Sequence, residues 1–162
     1  MDLSQETTGD PSGARRCAEC GAPLDPGREC RELFYEILAL EALVPGGPAP
    51  LAHFFAVASY NLQHPAQFQP GIVDGLRSGL VDALAGKADV AELRRRASRA
   101  AEGARRVLRR PEDPPAALPT SWPTRWPFTA RDMAGTAPAE YDRQARRWAE
   151  SVAASLEGRA AS

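Results

Sequence analysis

Three cysteines and two histidines carry the metal-binding chemistry open to this 162-residue chain. Cys17-Ala18-Glu19-Cys20-Gly21 sets two thiols two residues apart on a Gly-ended turn, and Cys30 follows at the start of an apolar, helix-like run. Two intervening residues let both sulfurs face one point, and Gly21 lets the backbone curl beneath it. Cys30, in a first helical turn, sits where the helix dipole favours a thiolate. Three soft ligands in this arrangement are three corners of a tetrahedral Zn²⁺ site.

His53 and His64 are the candidates for the fourth corner. From Cys30 to Leu43 is about 20 Å of helix, and Leu51 to His64 matches it. The Pro45-Gly46-Gly47-Pro48 link makes the two helices antiparallel neighbours. His64 then returns beside Cys30, while His53 lies near Leu40 and Glu41 at the far end. Pro65 disfavours the α region for His64, which frees that side chain to leave the helix line. The expected ligand set is Cys17, Cys20, Cys30 and His64 around one structural Zn²⁺, with His53 the rival under a different helix packing. An iron–sulfur cluster wants a fourth cysteine. A thioredoxin-like pair wants a strand-rich α/β frame that is missing here.

His53, Val57, Tyr60 and His64 form one helical stripe. Glu36 and Glu41 of the preceding helix can face it. A His–Glu pair between helices serves as a general base, as a second metal site or simply as a hydrogen-bonded core pair; the last is the expectation for His53. No Ser or Thr stands in a nucleophile motif. The fourth helix is rich in arginine (Arg94, Arg95, Arg96, Arg99, Arg105, Arg106, Arg109, Arg110), but these spread around the helix and lack interleaved aromatics. They read as a solvated face, partly paired with the acidic N-terminal half. Residues 1–64 carry four Arg and nine Asp plus Glu, while the formal net charge of the whole chain is −1. That balance argues against nucleic acid as a partner.

The elements that must position these residues are helical. Apolar periodicity predicts helices over 28–43, 50–63, 72–85, 89–110 and 138–156. Asp89 and Glu92 form a capping-box pattern, and Gly86 and the prolines mark ends. Residues 111–127 hold six prolines with Trp122 and Trp126, so they are expected to pack over the helices without being helical. Residues 1–15 read as a disordered tail and 16–158 as a single zinc-stapled domain. The predicted class is all-α, a four- to five-helix bundle with an N-terminal zinc knuckle. No run of about 20 apolar residues spans a membrane, and no signal-peptide pattern opens the chain. An odd cysteine count fits a reduced, cytoplasmic setting.

Most of the chain beyond residue 16 resembles a bacterial family of uncharacterised proteins, a domain of unknown function. The resemblance rests on Cys17, Cys20, Gly21, Cys30, Glu36, His53 and the Tyr60, Gln63, His64, Pro65 ending. Trp126-Pro127-Phe128-Thr129 with Asp132, and Trp148 to Val152, also look similar. It marks His53, Gln63 and His64 as deliberate choices and points to a polar site between the first two helices; the candidate pocket residues there are Glu36, Glu41, His53, Tyr60 and Gln63. Ala58 stands where members often carry an acid. The resemblance supplies no activity. The expected function is a macromolecular interaction module with a structural zinc, the partner being protein. The alternative is an enzyme or small-molecule sensor with a pocket around His53.

Overall fold

The computed structural model describes residues 15–69, 71–102, 107–114 and 118–158. It is mostly helical. Two two-residue strands, β1 (Arg15–Arg16) and β2 (Pro23–Leu24), pair antiparallel with Arg15 opposite Leu24. The turn they close carries Cys17 and Cys20. The expected tail over 1–15 lies outside the described residues apart from Arg15, which is held in β1.

Helix α1 (Cys30–Leu40) starts where the Glu29 amide donates to the Glu32 carboxylate, 2.8 Å, and it continues as a 3₁₀ turn over Glu41–Leu43. It buries Cys30, Leu33, Phe34 and Ile37. Helix α2 (Ala52–Gln63) buries residues on most of its circumference and is the central element, packed mainly against α6 (Tyr141–Leu156) and α3 (Ile72–Leu84). The short α5 (Ala130–Ala134) packs on α1. Fully buried Ile37, Leu62, Leu80, Met133, Tyr141, Trp148 and Val152 mark the core.

The fourth helix is shorter than its pattern predicts. Helix α4 runs Val90–Glu102, and its Asp89 carboxylate accepts the Glu92 amide, 2.8 Å. Val107 and Leu108, expected on its apolar face, lie instead in extended backbone: Leu108 bridges Phe68, and Gln69 donates to the Val107 carbonyl, 2.9 Å. Arg109 clamps this crossing by donating to the carbonyls of Ala66, Asp113 and Pro114. Arg105 and Arg106 lie outside the described residues. The acids that pair with the α4 arginines come from the helices themselves. Glu92 meets Arg95, Arg96 and Arg99, and Asp82 of α3 meets Arg96 at 2.7 Å. Among the described residues the N-terminal half supplies none of them.

Trp126 and Phe128 are buried, and Trp122 is half-buried with its indole donating to the Leu62 carbonyl, 3.3 Å. The Pro/Trp-rich segment therefore lies over the end of α2. Among the described residues no helix is long and apolar enough to cross a membrane.

Candidate metal centre

Each donor of the cluster is placed by a separate local device. The β1–β2 turn is tied by the Cys17 amide to the Ala22 carbonyl and the Gly21 amide to the Cys17 carbonyl, both 2.9 Å. Gly21 sits at φ +75°, and a Cβ there would come within 3.1 Å of the Thr124 carbonyl oxygen and the Arg125 Cγ. Only glycine satisfies both conditions. Cys30 is the first residue of α1. His64 follows α2 with φ −130° and ψ 59°, outside the helical region as the next residue, Pro65, demands. Glu19, inside the CxxC turn, accepts the Ala66 amide at 3.0 Å and so binds the knuckle to the His64 turn.

These devices bring Cys17, Cys20, Cys30 and His64 together, with all donor atoms within 4.8 Å of one another. Cys17 Sγ lies 3.5 Å from His64 Nε2, and Cys20 Sγ lies 3.6 Å from Cys30 Sγ. A tetrahedral zinc with ordinary Zn–S and Zn–N bonds has edges of about 3.8 Å between sulfurs and about 3.6 Å between sulfur and nitrogen. These two separations are close to such edges, and every other donor pair lies within 4.8 Å. His64 Nδ1 lies 2.7 Å from the Tyr60 carbonyl. A bond to a carbonyl keeps the proton on Nδ1 and leaves the Nε2 lone pair for a metal. The His64 ring stacks on Tyr60 at 4.1 Å, and Tyr60 on Phe34 at 4.1 Å and 6°. The imidazole plane is thus fixed from both its edge and its face.

Hydrogen bonds from Cys20 and Cys30 hold the Cys17 thiol far below its usual value, while bonds with Cys17 and Cys20 push Cys30 up. In the metal-free cluster burial alone would push His64 down, but its bonds to Cys17 and Cys20 outweigh that and raise it to about 10, so a bound ion would displace the Nε2 proton. Burial also pushes Tyr60 up. Cys17 is half-buried, whereas Cys20, Cys30 and His64 are buried.

The five residues expected around a polar pocket have different surroundings. Glu36 is exposed and pairs with Arg28. His53 is exposed, with Nδ1 2.9 Å from Glu41, whose carboxylate also accepts the Tyr141 hydroxyl. Tyr60 belongs to the aromatic stack beside His64. Gln63 is fully buried; it donates to the Phe128 carbonyl at 2.7 Å and accepts the Trp148 indole at 3.3 Å. Ala58 is fully buried as well. None of the five lines the 650 Å³ groove bounded by Leu51, Phe55, Val90 and Arg146, nor the 340 Å³ cavity bounded by Phe54, Leu76, Leu93 and Val107.

Family modelling decides the affiliation. A model matches residues 15–157. The chain belongs to a family of unknown function, DUF5946. No curated protein and no solved structure matches it. In this DUF5946 chain the residues that carried the resemblance have structural work: Gln63, Phe128 and Trp148 meet in one hydrogen-bonded junction. Thr129 and Asp132 cap α5, the Thr129 amide donating to Asp132 at 2.8 Å. Apolar periodicity does not reveal α5, although the Thr-x-x-Asp spacing is a readable start signal. Nor does it reveal Glu19 and Tyr141 as partners of the two histidine regions. Glu19 has no sequence signal, because its partner is a distant backbone amide.

Proposed function

We propose that this protein is a zinc-stapled helical module of the cytoplasm that binds another protein, with Zn²⁺ in a structural role. The carrying observation is the Cys₃His cluster, two of whose edges lie near those of a tetrahedral ion and whose histidine turns Nε2 toward Cys17. Cys17, Cys20, Cys30 and His64 would hold the ion, and thiolate-rich tetrahedral donors favour zinc over hard cations. Four protein ligands leave no position for water or substrate, so the ion supplies folding energy and no chemistry. Tyr35 and Leu43, 58 % and 66 % exposed on α1 and its 3₁₀ extension, offer apolar surface to a partner.

Elemental mass spectrometry of untagged protein tests the metal reading. The expected result is one zinc per chain, lost or weakened in His64→Ala and unchanged in His53→Ala. Metal-free protein, or loss confined to His53→Ala, overturns it.

A further inference from the structure

We propose that the metal gates a strap: residues 118–126 stay docked only while the knuckle is closed, and metal loss releases them as a local event. The inference rests on the metal reading above. The strap contains no helix or strand of its own. Its anchors are concentrated at residues adjoining the metal ligands. The Trp126 amide donates to the carbonyl of Cys20, 3.3 Å. Thr124 and Arg125 lie directly on Gly21, close enough that a single added carbon would touch both. Trp122 donates to Leu62, one of the two residues that precede His64. Just beyond the strap, Phe128 accepts from Gln63, the other, and Arg131 pairs with Asp25 of the knuckle at 2.7 Å.

The floor beneath this strap cannot hold its own shape. β1 and β2 contribute two residues each, and so short a ribbon does not offset the entropy of ordering its turn. The ion supplies the missing constraint. Without it, the Cys20 carbonyl and the Gly21 surface lose their positions, and the strap loses one side of its seat. Its release uncovers Trp122 and Trp126 together with the C-terminal end of α2, while Phe128 stays packed against Trp148 of α6. The packing of α2 on α6 and α3 involves none of the knuckle and persists. Docking and metal binding are then reciprocally coupled: whatever weakens the strap also weakens the hold on the ion.

Hydrogen exchange of the zinc-loaded full chain, before and after stripping with a chelator, reads the device directly. Peptides over 15–29 and 118–126 are expected to exchange about tenfold faster or more in the stripped protein, while those over 141–156 keep their protection. Unchanged exchange over 118–126, or simultaneous loss over 141–156, overturns the proposal. A second arm measures zinc transfer to a chromophoric chelator. Trp122→Ala is expected to speed it roughly fivefold or more. Leu80→Ala, a core truncation in α3 far from the knuckle, is expected to leave it unchanged. Equal rates in the two variants overturn the coupling. A chain that takes up no zinc at all overturns the metal reading instead, and is recognised before either arm begins.

Discussion

Gln63 shows how much one side chain can hold in place. Its amide spans from the loop before α5 to the middle of α6, giving one bond to Phe128 and taking one from Trp148, all out of water. Gln63→Leu keeps the volume and strands both partners. The expected cost is about 2–4 kcal/mol, since each buried group left unpaired costs about 1–3 kcal/mol; urea unfolding measures it. Gly21 is a backbone counterpart. Gly21→Ala meets both a left-handed φ and the 3.1 Å approach of the strap, whereas Gly27, at φ +76°, has nothing within 4 Å of its added carbon. Gly27→Ala should lose only the conformational part, about 1–2 kcal/mol, and Gly21→Ala clearly more. Equal losses would mean that the strap yields freely at this point.

At the scale of the element, α3 offers an internal comparison. Gly75 and Gly79 lie one turn apart in the same helix. A carbon added at Gly75 meets nothing, while one at Gly79 comes within 3.3 Å of Leu93 and 3.5 Å of Phe54. Gly75→Ala should therefore stabilise the protein by about 1 kcal/mol through helix propensity, and Gly79→Ala should gain less or lose stability. Thermal melts of the two variants check the order. Elements defined by their own pattern were the legible ones. The α1–α2 hairpin followed from two helical stretches of matched length, which places His64 at Cys30 and His53 at Glu41. What the pattern missed depends on partners elsewhere in the chain. Val107 and Leu108 continue the apolar period of α4, yet pairing with residues 67–69 and the Arg109 clamp hold them extended. Helix α5, five residues long, is too short for a periodicity signal and exists through its cap and its seat on α1. Helix position alone also did not show that Gln63 is turned inward while His53 stays in water beside Glu41.

For the whole molecule, the Cys₃His cluster able to hold a metal lies at one end and an aromatic core lies around α2 and α6. Trp148 is fully buried, contacts Phe128 and bonds Gln63. Truncating it to alanine removes about 3–5 kcal/mol, against a total of about 5–15 kcal/mol for a typical domain. Trp148→Ala should therefore lose most helical circular dichroism whether or not zinc is supplied. Cys30→Ser acts differently. It removes one ligand from a site that organises the knuckle, the start of α1 and the His64 turn, but leaves the α2–α6 contact intact. Its far-ultraviolet spectrum should stay largely helical, and its melting temperature should fall and stop responding to added zinc or chelator. Each kcal/mol lost lowers the midpoint by about 2–4 °C in a chain of this size. The wild type should melt lower after chelation and approach the Cys30→Ser value, because ligand binding to the folded state adds stability that vanishes with the ligand. If Cys30→Ser proves as unfolded as Trp148→Ala, the ion organises the entire chain and the core cannot stand without it. If chelation leaves the wild-type melt unmoved, the cluster holds no ion that matters to the fold.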